Sequence, residues 1–102
     1  MTFHEYQRES ARYVPFKPHL LAGLTLGLTG EAGEVAELVK KALYHDVPYS
    51  DEDMEKELGD VLWYLTAVAR ECGLSLADIA QQNLEKLRKR YPDGFVPGGG
   101  IR

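Results

Sequence analysis

Two pairs of carboxylates in this sequence have a spacing that could bind a metal ion. Glu31 and Glu34 form the first pair, and Glu57 and Asp60 form the second. Residues three apart on an α-helix lie on the same side of it, so each pair can direct its oxygens toward one point. Hard oxygen ligands select Mg²⁺, Mn²⁺ or Ca²⁺ over softer metals, and Mg²⁺ commonly bridges carboxylates to phosphate groups. The four carboxylates therefore predict a divalent-cation site.

Both pairs lie beside the apolar faces of predicted helices. The apolar stripe of the second predicted helix consists of Leu24, Leu28, Val35, Leu38 and Ala42. That of the third consists of Met54, Leu58, Val61, Leu65, Val68 and Cys72. We expect both stripes to face the core. Glu31 interrupts the first stripe, and Glu34 lies on its flank. Glu57 and Asp60 share one flank of the second stripe. Glu37 points farther toward solvent, so we do not include it among the predicted ligands.

The alternative for these carboxylates is an ordinary protein surface, with Glu31 paired to an Arg or Lys of another helix. A single Glu-x-x-Glu in a helix usually has that explanation. Partial burial of an unpaired carboxylate is costly, however, and like charges three residues apart repel each other. Two such pairs, each beside an apolar stripe, favour the cation site without excluding the alternative.

A second set of polar residues marks the fourth predicted helix. Its apolar stripe consists of Leu76, Ile79, Ala80 and Leu87. Asn83 lies near the centre of this stripe, where a buried amide would need hydrogen-bond partners. Lys86 and Arg90 flank it and could bind a phosphate tail. The alternatives are a core amide bonded to backbone and two surface cations that favour the helix dipole.

The positions of capping residues, prolines and glycines predict four helices. Capping pairs precede three of them: Thr2 with Glu5, Ser50 with Asp53, and Ser75 with Asp78. The prolines of segment 14–18 separate the first two helices, and Gly73 ends the third. The predicted helices cover about 2–13, 19–44, 50–72 and 75–91.

Composition limits the class of protein. A chain of 102 residues with 44% hydrophobic residues predicts one globular domain, residues 1–102, with 93–102 as a flexible tail rich in glycine and proline. The net charge of −4 argues against nucleic acid as a partner. A lone cysteine, Cys72, and the lack of a signal pattern or a long apolar run predict a cytoplasmic protein without a membrane segment.

Small and aromatic residues suggest where other groups approach the helices. Gly23, Gly27 and Gly30 are unfavourable inside a helix, which indicates close approach of a ligand or another helix. Trp63 lies opposite the apolar stripe of the third helix, and we predict that it anchors a subunit interface. Self-association is also expected because a chain this short buries a modest fraction of its surface.

The segments from Glu31 to Glu37 (EAGEVAE) and from Glu57 to Tyr64 (ELGDVLWY) resemble the two halves of the signature of MazG-like nucleotide pyrophosphohydrolases. The resemblance continues through Asn83–Pro92 and covers roughly residues 19 to 95. It implies an all-α, four-helix MazG-like bundle that assembles as a dimer or tetramer. It also implies that Glu31, Glu34, Glu57 and Asp60 bind Mg²⁺, with Mn²⁺ as a substitute, and that Asn83 and Lys86 help to hold a nucleotide.

The activity implied by this resemblance is hydrolysis of a nucleoside triphosphate to the monophosphate and pyrophosphate, in a nucleotide-pool housecleaning role. Water would attack the α-phosphorus in line, Glu31 or Glu34 would orient or deprotonate it, and Lys86 and Arg90 would bind the leaving pyrophosphate. Two alternatives remain. One is a phosphoribosyl-ATP pyrophosphatase-like enzyme, and the other is a non-catalytic helical module that oligomerises through Trp63.

Overall fold

The computed structural model describes residues 1–95 and 97, and these form four α-helices and no β-strand. The helices are α1 (Phe3–Ser10), α2 (Leu20–Tyr44), α3 (Asp51–Glu71) and α4 (Leu76–Arg90). A short 3₁₀ turn, Ala11–Tyr13, follows α1. The predicted all-α class is confirmed. The predicted flexible tail falls partly on residues 96 and 98–102, which lie outside the described residues.

Local capping explains where the helices begin. Thr2 Oγ1 accepts a hydrogen bond from the Glu5 backbone N–H at 3.0 Å, and the Thr2 N–H donates to Glu5 Oε1 at 3.2 Å. Ser50 and Asp53 make the same reciprocal pair, with both distances 3.1 Å. Such caps each stabilise a helix by about 1 kcal/mol. Ser75 Oγ accepts from the Asp78 backbone N–H at 3.3 Å, so all three predicted capping pairs are confirmed.

The long helices α2 and α3 pack side by side and run antiparallel. Gly27 on α2 lies against the Tyr64 ring on α3. Four residues later on α2, Glu31 comes together with Asp60, which is four residues earlier on α3. A Cβ atom at Gly27 would overlap the Tyr64 ring, so the close approach predicted for the glycines of α2 occurs there. Gly23 and Gly30 have no such neighbour within the described residues.

The buried core is small and lies where α3 is covered on several sides. Its apolar members are Leu24, Ala67, Ala69 and Leu76, and Thr66 is buried with them. The Thr66 hydroxyl donates to the Leu62 carbonyl oxygen at 2.6 Å, which satisfies this buried polar group. The core therefore joins α2, α3 and the start of α4. No helix of the described residues is long and apolar enough to cross a bilayer.

The predicted inward stripe of α3 is wrong at three positions. Leu58 is 50% exposed and Leu65 is 38% exposed, and Cys72 is exposed as well. The cause is that α3 has α2, α1 and α4 as neighbours, so its buried face is centred on Thr66 and Ala69. A single-helix pattern cannot indicate which neighbour covers which side. The stripe predicted for α2 is confirmed, because Leu24 is buried and its other members are half-buried.

The predicted burial of Asn83 is also wrong. Asn83 is exposed, as is Ile79 in the same stripe. Helix α4 packs on α1 and α3, and its only buried residue is Leu76, at its first position. The packing therefore covers the start of α4 and leaves the middle of the helix open to solvent.

One glutamine joins the N-terminal helix to the turn between α3 and α4. The Gln7 amide nitrogen donates to the Leu74 carbonyl oxygen at 2.8 Å. Its amide oxygen accepts from the Leu76 backbone N–H, also at 2.8 Å. Because the first N–H groups of a helix lack partners within the helix, Gln7 acts as a cap of α4 supplied from 69 residues away in sequence.

Replacing this glutamine should weaken the fold measurably. We expect Gln7→Leu to lower the free energy of unfolding by about 1–3 kcal/mol, because both backbone partners lose a hydrogen bond. A chain of this size should then melt about 4–8 °C lower for each kcal/mol. Gln81→Leu is the matched control, since Gln81 bonds only to Glu85 on the exposed side of α4. Equal melting temperatures of the two variants would contradict the bridging role.

Candidate metal centre

Three carboxylates from two helices converge in the groove between α2 and α3. Glu31 comes from α2, and Glu57 and Asp60 come from α3. One carboxylate oxygen of each lies within 4.8 Å of those of the other two. Glu31 and Glu57 are half-buried and Asp60 is exposed. We call these three residues the acidic group.

The charges of the acidic group act most strongly on Glu31. Its pKa is raised above the usual value, first by partial burial and then by the negative charges of Asp60, Glu57 and Glu34. No Lys or Arg of the described residues forms an ion pair with it, since the carboxylates that do have such partners are Glu9, Glu37 and Glu52. The alternative in which Glu31 is neutralised by a basic side chain is therefore wrong for this part of the chain.

The donor atoms of the acidic group fit a hard divalent cation. All are carboxylate oxygens, and the group contains no His or Cys that would favour zinc or copper. Adjacent ligands of an octahedral Mg²⁺ lie about 3.0 Å apart and opposite ligands about 4.2 Å apart, given metal–oxygen distances of about 2.1 Å. Carboxylate oxygens within 4.8 Å of one another would therefore move closer by side-chain rotation to bind one ion. A cation would also offset the repulsion that raises the pKa of Glu31.

Glu34, the fourth predicted ligand, lies beside this group without being a member of it. It is exposed on α2, three residues beyond Glu31, and its charge contributes to the raised pKa of Glu31. Glu37 is also outside the group and lies 3.8 Å from Lys40 of the same helix. The structure thus brings together three of the four predicted carboxylates, and the role of Glu34 as a ligand stays a prediction.

Tyr6 is a neighbour of the acidic group that the sequence pattern did not identify. It is half-buried on α1, and its pKa is raised by burial and then by the charge of Asp60. The α1 helix thus places a phenol hydroxyl close enough to Asp60 to sense its charge. The spacing of residues in α1 carries no information about this contact, because it depends on how α1 docks on α3.

Two aromatic residues of α3 continue the groove away from the carboxylates. The rings of Trp63 and Tyr64 meet edge to face, with centroids 5.0 Å apart. They line a cavity of about 110 Å³ together with Pro15, Lys17, Leu20, Gly23 and Leu24. Trp63 is half-buried beside α2, so the prediction that it lies on an outward face opposite the core is wrong, and its role in a subunit interface stays a prediction. It projects from α3 toward this cavity because α2 covers that side.

The predicted substrate residues of α4 lie on a different helix from the members of the acidic group. Asn83, Lys86 and Arg90 are all exposed. Their predicted contact with a nucleotide stays a prediction. Helix α4 meets α1 and α3 near its first turn, which leaves these three side chains accessible to a ligand or to another chain.

Comparison with known proteins finds several relatives of similar sequence. The dCTP pyrophosphatase 1 of Mus musculus is 34% identical over 90 residues, which cover 82% of this chain and 53% of that protein. The Gene 37 protein of Mycobacterium phage L5 is 39% identical over 84 residues, 78% of this chain and 74% of the phage protein. YpjD of Bacillus subtilis is 32% identical over 102 residues, covering 91% of its length. This chain therefore spans about half the length of the mouse relative.

The family comparison covers the site itself. No solved structure matches the chain significantly. The model of the MazG nucleotide pyrophosphohydrolase domain matches residues 21–95, a range that contains the acidic group, the Tyr64 contact and all of α4. With three quarters of the sequence inside that match, the chain belongs to the MazG nucleotide pyrophosphohydrolase domain family.

Proposed function

We propose that this chain hydrolyses nucleoside triphosphates to monophosphates and pyrophosphate with Mg²⁺, or Mn²⁺ in its place. The observation that carries the proposal is the convergence of Glu31, Glu57 and Asp60 within 4.8 Å, without a basic partner for Glu31. A helical domain of this family with three converging carboxylates is suited to hold a cation against a phosphate chain.

The proposed reaction is attack of water on the α-phosphorus, in line with the leaving pyrophosphate. Bound Mg²⁺ would supply charge neutralisation at the phosphoryl oxygens. Glu31 is suited to orient the attacking water or to accept its proton, because its carboxylate lies in the acidic group that would hold the cation. Glu34, exposed on the same helix, is the alternative base. Lys86 and Arg90 would bind the pyrophosphate that leaves.

The substrate proposed for the first assays is a deoxynucleoside triphosphate, because several similar proteins are named dCTP pyrophosphatase 1. The cavity beside Trp63 and Tyr64 lies farther along the same groove as the acidic group. A flat aromatic ring could meet a nucleobase there while the phosphates lie against the carboxylates. A housecleaning role in the cytoplasmic nucleotide pool follows from this proposal.

We further propose that the chain works as a dimer or tetramer. Its radius of gyration is 16.4 Å, whereas a compact domain of 100 residues has about 13 Å. Leu58 and Leu65 leave an apolar strip of α3 exposed, and Leu43 of α2 is 67% exposed. An open monomer with uncovered apolar strips favours burial against a second copy. Such a copy could also bring its own α4 residues to the acidic group.

The activity is tested by measuring pyrophosphate release from dCTP and other canonical nucleotides with Mg²⁺. We expect turnover that requires the cation, and we expect Glu57→Gln to lower kcat/KM by about a hundredfold or more. Glu55→Gln is the control, because Glu55 is exposed on the same helix and outside the acidic group. Phosphoribosyl-ATP is included as a competing substrate, and its clear preference would support the alternative enzyme. A folded wild-type protein that releases no pyrophosphate would support the non-catalytic module.

The acidic group should also destabilise the metal-free protein. A carboxyl whose pKa is raised on folding binds its proton more tightly in the folded state. Its contribution to the free energy of unfolding therefore falls as the pH rises above its pKa in the unfolded chain, about 4.3. We therefore expect Glu31→Gln to raise the melting temperature at pH 7 in EDTA and to flatten its dependence on pH above 4. The same variant should bind Mg²⁺ at least about tenfold more weakly. A lower melting temperature in EDTA would contradict the proposed repulsion.

Assembly is tested by light scattering after size-exclusion chromatography. We expect the wild-type mass to be two or four times that of the chain. Leu58→Lys combined with Leu65→Lys should shift the protein toward the monomer, because both lysines would enter a buried apolar interface. Leu84→Lys is the control, since Leu84 is similarly exposed on α4. A monomeric wild type would overturn this proposal without affecting the test of metal binding.

A further inference from the structure

We propose that a second site, at the junction of α1 and α3, binds a small phosphate-bearing anion. The site is a cavity of about 370 Å³ lined by His4, Gln7, Arg8 and Arg70, and we call it the basic cleft. It shares no residue with the acidic group. Its volume is within the range of small-molecule sites in proteins.

The charges of the basic cleft are at most weakly paired within the described part of the chain. The Arg70 side chain makes no ion pair or hydrogen bond with a described residue, and it is exposed on α3. Arg8 has one nearby carboxylate, Glu9, at 3.8 Å, and both side chains are more than half exposed. That distance is too long for a hydrogen bond, so the pair is weak. Two guanidinium groups therefore face one cavity in a chain whose net charge is −4.

The polar groups of the basic cleft favour a ligand that carries hydrogen-bond acceptors. Gln7 already uses its amide nitrogen and its amide oxygen on Leu74 and Leu76. The groups that remain to meet a ligand are the guanidinium N–H donors, the second amide N–H of Gln7 and the His4 ring, and no carboxylate lines the cavity. Arginine forks match the oxygens of phosphate groups through paired, charge-assisted hydrogen bonds. The ligand class that fits is therefore a compact, multiply charged phosphate.

The small number of basic side chains in the cleft argues for a small ligand. Nucleic-acid binding depends on many Lys and Arg contacts along a backbone, and this cleft has two arginines. A diphosphate presents several oxygens within a short distance, so arginines from two different helices can each bind one end. Inorganic pyrophosphate, a free nucleotide and inorganic phosphate share this chemistry, and the experiment separates them.

A ligand bound in the basic cleft would affect the surroundings of the acidic group through α1. Arg8 lies on α1 and Arg70 on α3, so an anion held by both would fasten one helix to the other. The same α1 helix carries Tyr6, whose pKa is raised first by burial and then by the charge of Asp60. A ligand in the cleft would therefore restrain the helix that carries Tyr6.

Binding is measured by titration calorimetry of the full chain with inorganic pyrophosphate in EDTA at low salt. Removing divalent cations keeps the acidic group repulsive to anions, so the result does not depend on the proposed hydrolysis. We expect one site per chain. Arg8→Gln and Arg70→Gln should each weaken binding at least about tenfold. Glu9→Gln should tighten binding, because it removes the carboxylate nearest Arg8. Circular dichroism verifies that each variant is folded.

Two further variants test whether Arg8 and Arg70 form the anion site. Arg88→Gln removes the same charge from α4, outside the cleft, and should leave the affinity unchanged. Lys86→Gln tests the predicted phosphate residues of α4. No binding of pyrophosphate, wild-type affinity in both Arg8→Gln and Arg70→Gln, or loss of affinity only in Lys86→Gln would each overturn the proposal. Parallel titrations with inorganic phosphate and with a nucleoside monophosphate show whether one phosphoryl group suffices.

Discussion

The close approach of α2 and α3 at Gly27 sets the geometry of the rest of the molecule. Because the Tyr64 ring occupies the space where a side chain would be, the two helices meet in one register. One helical turn farther along, that register places Glu31 opposite Asp60. A slip of one residue would rotate each carboxylate by about 100° around its helix and separate the group. The glycine thus determines the site although it carries no functional atom.

The same register creates an electrostatic conflict that folding alone does not resolve. Three carboxylates converge on a half-buried position, and the pKa of Glu31 rises in response. Neighbouring basic residues pair with other acids at exposed positions. A protein selected only for stability would replace Glu31 with an apolar residue that continues the stripe of α2. The retained conflict is typical of sites at which stability is lowered for the sake of ligand binding.

The sequence predicted the features that depend on local interactions. The capping boxes at Thr2 and Ser50, the end of α3 at Gly73 and the inward stripe of α2 all follow from neighbouring residues along one helix. Glu31 stood out because it interrupts that stripe, and the structure does place it in the acidic group. These predictions needed no knowledge of how the helices are arranged.

The features that sequence analysis missed depend on the arrangement of several helices. The stripe of α3 was assigned to the core, but α3 is enclosed on its other sides and exposes Leu58 and Leu65. Asn83 was predicted to lie in the core, but only the start of α4 reaches the core. The position of Tyr6 beside Asp60 and the bridge made by Gln7 both depend on the docking of α1. The helical repeat predicts the direction in which each side chain points around its own helix axis. It does not predict which neighbouring helix lies in that direction.

The Gln7 bridge also has a consequence for the order in which the chain folds. The α2–α3 hairpin is closed by the short segment 45–50, so its contacts form between residues near in sequence. The Gln7 bonds instead join residues 67 and 69 positions apart, and closing so long a loop carries a larger loss of chain entropy. Helix α1, with only eight residues, is too short to be stable by itself. We therefore expect α1 to dock last, so that Tyr6 comes under the influence of the Asp60 charge only once the rest of the bundle has formed.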